Sequence, residues 1–435
     1  MRVLHTIVAS LLLCSSSAQA EDEWLCAAAL EAGYRSGQGQ SVYSPSELRA
    51  SAAIPKGTAS ADLTGVLTAL KGQGIHVVGA PWPDRPLVEP AAVRLQPGDE
   101  WTADVAGAAY AGLLELFSVH GSSVDLLAVA RANPGFYNVR DPHMTVDGMQ
   151  VAAQAMARTL LLDPRSAELP SANFVRRRGS SHEAKNVGNA VGRLCGKTPL
   201  PETYQTPLVA EKGGANELFG DVPPRDVVVL GSSQSDLNMN LGGVIQQELA
   251  SPAHVVAVTA GGPLSSLFKY LDSEQWQNHT PKFIVWEFPV WSMANGVPKH
   301  SPSWQDPLSY RMLLPRIERM CDRPPKELGR FENLETDTRV VLVGAHNNAM
   351  STMPRNGSLR LQFERPTVDS YTIRIVYQDD TVELVRVDPW SRLGPQHTAH
   401  LLFDPSTGTV PRSIVVEFQD SVPRSMTASI CLRPR

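Results

Sequence analysis

The strongest constraint on the fold is a change of hydrophobic rhythm near residue 330. Upstream, strand-like runs alternate with helical patterns. Asp226 to Leu230 reads as a continuous buried strand closed by Gly231-Ser232-Ser233, and Val244 to Ala250 as a short helix. His254 to Val258 is a second strand, ended by Gly261-Gly262-Pro263, with Leu264 to Leu271 a helix and Phe283 to Phe288 a third strand. Earlier, Ile75 to Val78 is a short strand signal and Val105 to Phe117 has apolar and small residues at helical spacing. Thr145 to Leu162 opens with a capping threonine and sets Met149, Ala152, Ala153, Ala155 and Met156 on a helical face. This alternation predicts an α/β fold, a parallel sheet flanked by helices. Residues 163–222 read as a polar, Pro/Gly-containing loop. Its run Arg176-Arg177-Arg178 reads as a solvated cluster, with contact to an anionic ligand the lesser alternative. Downstream of Arg330, strand signals from Val340 to Leu432 follow one another with turn residues and no helix between them. That is the pattern of an antiparallel all-β sandwich. The expected division is 21–325 for the α/β domain and 326–435 for the sandwich.

The first twenty residues read as a secretory signal rather than fold. Arg2 is followed by an apolar run from Ile7 to Leu13, then small residues, then Ala18-Gln19-Ala20. The run is too short for a bilayer span of about 20 residues. A lipid anchor at Cys14 is disfavoured by the bulky Leu13 before it. Cleavage after Ala20 removes Arg2 and leaves 38 Lys+Arg against 44 Asp+Glu, a formal charge of −6. It also leaves Cys26, Cys195, Cys321 and Cys431, an even number that suits disulfides in an oxidising compartment, with three pairings open. Their wide spacing, without a CxxC, argues against a zinc site. No metal or nucleotide cofactor is expected, and the acidic balance gives no nucleic-acid footprint.

In open α/β sheets, ligands sit beyond the carboxyl ends of the strands. Three candidate loops fall there: Gly231 to Ser235, Gly261-Gly262-Pro263, and the segment after Phe288-Pro289. A serine in a tight turn after a buried strand can present its oxygen to the crevice with a backbone N–H facing a developing oxyanion. Such turns also merely cap helices. A nucleophilic serine needs a base, and the base an orienting group. Asp141-Pro142-His143, just before the Thr145 helix, is the best supply, although a structural turn is the competing reading.

Together these segments resemble the AlgX/AlgJ alginate O-acetyltransferase family, an SGNH-hydrolase-like group. The resemblance is carried by Asp141-x-His143 with Gly148 after it, Gly231-x-Ser233, Asn238-x-Asn240-Leu241 and Gly261-Gly262-Pro263. It continues through Lys269-Tyr270-Leu271 and Pro281-Lys282 leading to Trp286-Glu287-Phe288-Pro289. The Asp-x-His pair precedes the serine, the permuted order of that family. The resemblance implies Ser233 as nucleophile, His143 as general base and Asp141 as its orienter, with oxyanion donors at Ser233 and Gly262. It also implies the pairs Cys26–Cys195 and Cys321–Cys431, and a carbohydrate-binding role for the sandwich. There, Trp390, Arg392 and Arg374 are candidate sugar contacts, whereas Tyr377 suits the core equally well. Departures are Met144 where the family has Trp, Gln234 after the serine, and Pro81-Trp82-Pro83-Asp84-Arg85 in place of Pro-Pro-Lys.

The implied function is acetylation of an exported anionic polysaccharide, alginate or a similar uronic-acid polymer, in the periplasm. The implied partners are export-complex proteins and a membrane O-acetyltransferase system that supplies the acetyl donor. The chain itself is expected to be a monomer. Two alternatives stay open: an esterase that deacetylates the same polymers, and a non-catalytic polysaccharide-binding scaffold. A chain of charge −6 needs a local basic patch to hold an anionic polymer. Arg374, Arg386 and Arg392 are where that patch is expected.

Overall fold

The computed structural model describes residues 25–38, 41–48, 58–184, 186–197, 202–212, 224–293, 310–322, 325–332, 339–343, 357–367, 370–387, 396–403, 408–419 and 423–433. The leader segment, Trp390 and Arg392 lie outside these residues. A small antiparallel pair, β1 (Arg35–Ser36) and β2 (Val42–Tyr43), precedes the main sheet. That sheet contains β3 (His76–Trp82) and β4 (Ser122–Ser123). After an intervening hairpin of β5 (Phe174–Ala184) and β6 (Glu202–Glu211), it continues with β7 (Val227–Gly231), β8 (Ala253–Ala257) and β9 (Phe283–Pro289). Its order is β4-β3-β9-β7-β8, and each pairing is parallel. The last strand in sequence thus inserts between β3 and β7. Every residue of β7 and β9 is buried, as expected for strands covered on both faces.

Helices cover the two faces and make two apolar clusters. One face carries Leu67, Leu70, Leu113, Phe117 and Phe268 against Ile284 and Trp286. The other carries Met149, Ala152, Met156 and Val244 against Val227, Val229 and Val285. The helix Val146–Leu161 begins where the cap is made: Gly148 N–H donates to Thr145 Oγ1 at 3.0 Å. Glycine at 148 is required by packing, because a Cβ there would stand 2.1 Å from the Phe136 carbonyl oxygen.

The described residues between 163 and 212 are not a loop. They contain the short helix Asn186–Cys195 and the long hairpin of β5 and β6, paired antiparallel with a register shift between Arg178 and Ser181. The outer side of the hairpin is solvated, so its strands lack the apolar alternation that marks a strand in sequence. Arg176 to Arg178 therefore sit on an ordered strand.

The C-terminal region forms two four-stranded antiparallel sheets. One has the order β10-β17-β12-β15 and the other β11-β16-β13-β14. In chain order these are β10 (Lys326–Glu332), β11 (Arg339–Val343), β12 (Gly357–Thr367), β13 (Tyr371–Tyr377), β14 (Val382–Val387), β15 (Gln396–Leu402), β16 (Pro411–Phe418) and β17 (Ser425–Leu432). Leu359, Leu361 and Phe363 of one sheet share a core with Tyr371, Ile373, Ile375 and Tyr377 of the other. The helix Tyr310–Ile317 joins the two halves: Met312 enters the sandwich core, while Leu313 and Ile317 enter the α/β core. Cys26 is bonded to Cys195 and Cys321 to Cys431, the pairing the resemblance implied. Among the described residues no helix is long and apolar enough to cross a membrane.

Candidate active site

Three segments converge at the carboxyl end of the sheet: the turn after β7, the loop before the helix Val146–Leu161, and the end of β9. Ser233 Oγ donates to His143 Nε2 at 2.8 Å. The other ring nitrogen, Nδ1, is hydrogen-bonded to Asp141 Oδ1. A carboxylate on Nδ1 fixes the proton there and leaves Nε2 as acceptor. Asp141 is fully buried. It also accepts the His143 N–H at 3.0 Å on Oδ1 and the Asn186 N–H at 2.7 Å on Oδ2. Burial alone would raise the Asp141 carboxyl, but the His143 ring and these backbone donors outweigh it and hold it below the ordinary aspartate value. Asn186 is the first residue of the helix Asn186–Cys195, so the helix N-terminus adds to the stabilisation of the carboxylate. The other end of that helix is fastened by the Cys26–Cys195 disulfide.

The Asp141–His143 loop is pinned from several directions. Asn138 N–H donates to the His143 carbonyl at 3.0 Å, and Asn138 Nδ2 donates to the carbonyls of His143 and Met144. Glu202, at the start of β6, accepts the N–H groups of Val139 and Arg140, each at 2.6 Å. Arg85 donates to the carbonyls of Asn138 and Val139 while buried in an ion pair with Glu47 at 2.6 Å. Met144, next to His143, is fully buried in the apolar cluster below the loop.

The serine turn is organised by Glu287, which lies inside β9 and is 1 % exposed. Its carboxylate accepts the Ser232 N–H at 2.7 Å, Ser232 Oγ at 3.0 Å, Ser235 Oγ at 2.8 Å and Trp82 Nε1 at 2.9 Å. Burial pushes this carboxyl up, and those four donors pull it partly back. Gly231 must lack a side chain: a Cβ would stand 2.3 Å from Ser235 Cβ and 2.7 Å from Glu287 Oε1. Gly262 caps the N-terminus of the helix Pro263–Leu271 at the end of the neighbouring strand's loop.

Of the residues singled out in the sequence, Asp141, His143 and Ser233 are thus brought together. Glu287, Glu202, Arg85 and Asn186 join them, though the sequence assigns none of the four a role. For Glu287 a signal existed, an acid inside an otherwise apolar buried strand. For the others the partners lie too far away in sequence to read. Arg374 and Arg386 lie together on the outer face of the sheet containing β13 and β14, away from the sandwich core. Tyr377 is fully buried and donates to Glu383 at 2.7 Å, so it belongs to the core. Among the described residues no group of three or more His, Cys, Asp or Glu side chains is gathered where a metal could sit.

The alginate biosynthesis protein AlgX of Pseudomonas syringae pv. tomato is 26 % identical over 333 residues, covering 74 % of this chain and 66 % of that protein. The probable alginate O-acetylase AlgJ of Pseudomonas fluorescens is 28 % identical, covering 55 % of this chain and 63 % of its own length. The chain therefore spans just under two thirds of the length of these relatives. The solved structure of Pseudomonas aeruginosa AlgX superposes with a TM-score of 0.76 at 20 % identity, covering 94 % of this chain and all of that one, which establishes a shared fold. The family model described as the SGNH hydrolase-like domain of acetyltransferase AlgX matches residues 40–290. That match takes in more than half of the chain, and the protein belongs to this AlgX family of SGNH hydrolase-like domains.

Proposed function

We propose that the protein O-acetylates hydroxyl groups of an exported uronic-acid polysaccharide, alginate or a close analogue, through an acetyl-serine intermediate in the periplasm. The observation that carries this reading is the 2.8 Å contact of Ser233 Oγ with a His143 ring whose other nitrogen faces a buried Asp141. As Ser233 Oγ attacks the acetyl carbonyl, His143 Nε2 takes its proton. The N–H groups of Ser233 and Gly262 stabilise the oxyanion. Collapse expels the donor's leaving group, which takes the proton from His143. A sugar hydroxyl then gives its proton to His143 and attacks the acetyl group, and Ser233 leaves and is reprotonated. Asp141 holds the ring and stabilises the imidazolium. In this reading the unit from 326 to 435 binds carbohydrate, with Arg374 and the Trp390–Arg392 segment as contacts. A membrane O-acetyltransferase system supplies the acetyl group.

The test is mass spectrometry of the protein after incubation with an activated acetyl ester and a uronate oligosaccharide. A 42-dalton adduct on Ser233 (about one acetyl group) and acetylated oligosaccharide are expected for wild type, and neither for Ser233→Ala. His143→Ala should lower the acylation rate by at least about 10³-fold. Adducts elsewhere would overturn the site. Acetate released only to water would make the enzyme an esterase, and acetylation unaffected by Ser233→Ala would leave a binding scaffold.

A further inference from the structure

The seam between the α/β part and the sandwich holds a cavity of about 610 Å³. One wall carries Asp272, which follows the helix Pro263–Leu271, and Trp276 of the helix Glu274–Asn278. Gly262, beside the serine turn, lies at the far end of that nine-residue first helix, about 13 Å away. The cavity is therefore separate from the catalytic crevice. The opposite wall is the outer face of the sheet containing β12 and β15. Leu359, Leu361, Ala399 and Leu401 turn into the sandwich core, so the alternate residues face outward. Among them Arg360 is paired with His400, and Thr398 stands two residues along on the same face. Arg316 and Arg319, from the helix Tyr310–Ile317 and the turn after it, close the space. Its volume falls in the range of about 300–1,000 Å³ usual for small-ligand sites.

The walls bring three guanidiniums against two carboxylates. Asp272 is ion-paired with Arg316, and the largely exposed Asp322 stands 3.6 Å from Arg319. Arg360 meets only the neutral Gln362 amide, at 3.3 Å, among the described residues. The Nε–H groups of Arg316, Arg319 and Arg360 are all buried, and among the described residues none has an acceptor. Arg316 is itself only 7 % exposed. A buried charged donor without an acceptor is costly, and an anion in the cavity would relieve that cost. His400 senses the positive field. Burial first, then the Arg316 and Arg360 charges, push its imidazole well below the ordinary histidine value. Donors arriving from a helix, a turn and a strand suit an oxyanion with acceptors on every side better than a planar carboxylate. Such a group alone leaves much of the space unfilled, and Leu271, Trp276 and Pro315 offer apolar wall for an organic substituent.

We infer that this cavity is an anion site for a tetrahedral phosphate group, held by Arg316, Arg319 and Arg360 with the Thr398 hydroxyl. Arg360 supplies the charge that no carboxylate of the described chain answers. Because the walls belong to both halves, an occupant binds the folded seam and stabilises the two together. The test is calorimetric titration of the full chain at neutral pH and fixed ionic strength. The probes are inorganic phosphate, glycerol 1-phosphate and phosphatidylglycerol vesicles. Binding of a soluble phosphate is expected, weakened at least about tenfold by Arg360→Gln and partly restored by Arg360→Lys. Thr398→Val, which keeps every arginine, should weaken it by a smaller factor. Phosphate should raise the melting temperature of wild type and leave that of Arg360→Gln in place. In phosphate-free buffer the two should melt alike and hydrolyse a small ester at the same rate, which shows the variant folded. Tighter binding of glycerol 1-phosphate than of inorganic phosphate supports a small phosphate ester as occupant, whereas Arg360-dependent binding of the vesicles alone supports a lipid headgroup. No binding of any probe at millimolar concentration overturns the site. So does binding unchanged by Arg360→Gln, or equal affinity for acetate.

Discussion

Glu287 and Asp84 are both buried carboxyls at the site's end of the sheet, yet their surroundings differ. Glu287 faces four donors, so its ionised form is the one the structure is built around. Glu287→Gln keeps the shape but turns an NH₂ toward N–H and O–H groups that need an acceptor. It should destabilise the protein by about 2–4 kcal/mol in urea unfolding. Because Ser232 and Ser235 flank the nucleophile, kcat for hydrolysis of a small acyl ester should also fall at least about tenfold with KM little changed. Loss of stability alone, with kcat intact, would confine Glu287 to a structural role. Asp84 starts the short helix Arg85–Val88 but makes no cap hydrogen bond with its side chain. Burial, then the neighbouring Glu47 charge, pushes its carboxyl well above the ordinary range, against smaller pulls from the Trp291 backbone and Arg85. A raised folded-state value contributes stability that is fully present below the unfolded-state value. That contribution is lost as pH rises through the folded value. Asp84→Asn removes this loss, so its stability relative to wild type should increase steadily with pH in urea titrations from pH 5 to 8. A constant difference across that range would show that Asp84 does not titrate there.

At the scale of elements, the helix Val146–Leu161 and the helix Ala103–His120 give opposite answers to one substitution. Gly148→Ala drives a methyl into the Phe136 carbonyl at 2.1 Å and should cost about 1–3 kcal/mol. It should also slow ester hydrolysis, since Phe136 to His143 is one pinned loop. Gly112 is exposed within a helix and a Cβ there meets nothing within 4 Å. Gly112→Ala should therefore stabilise by about 0.5–1 kcal/mol in the same assay. The contrast explains what was legible in the sequence. The helix after Thr145 was readable because its cap and apolar face are both local. The strands β7 and β9 were readable because burial on both faces makes them continuous apolar runs. The β5–β6 hairpin was not, because Arg176 to Arg178 hide its alternation and the helix Asn186–Cys195 lies between its two strands in sequence. Glu287 was visible as an acid in an apolar strand, but not its purpose. One of its partners, Trp82, lies 205 residues away. The Asp141–His143 pair could be suspected from its turn, whereas its link to Ser233, 90 residues on, was implied by the family resemblance and not by any local spacing.

For the whole molecule, the question is what couples the α/β part to the sandwich. Two devices span the junction. The disulfide Cys321–Cys431 ties the end of the α/β chain to β17, across a sequence separation of 110. In the chain-entropy account such a loop is worth about 4–5 kcal/mol, and measured values are usually 2–4. The second device is the helix Tyr310–Ile317. Met312 packs with Leu359 and Ile373 in one core, while Leu313 and Ile317 pack in the other with Leu402 and Cys431. Arg316 reinforces this from the same helix. It is ion-paired with Asp272, donates to the Thr398 carbonyl at 2.8 Å and lies 4.4 Å from the Phe268 ring centroid. A helix whose two faces belong to two cores cannot leave one without opening the other. Cys321→Ser with Cys431→Ser should then lower the thermal midpoint by several degrees, at about 2–4 °C per kcal/mol for domains of this size. It should still melt in a single calorimetric transition, and hydrolyse a small ester at 25 °C at close to the parental rate. Two separated transitions in that variant would show that the disulfide, rather than the shared helix, makes the halves unfold together. Adding Met312→Ala to the disulfide-free chain opens a cavity in the sandwich core only, costing about 2–5 kcal/mol. If the helix is the coupler, the single transition moves down as one. If it is not, only the sandwich transition shifts and the α/β transition stays in place.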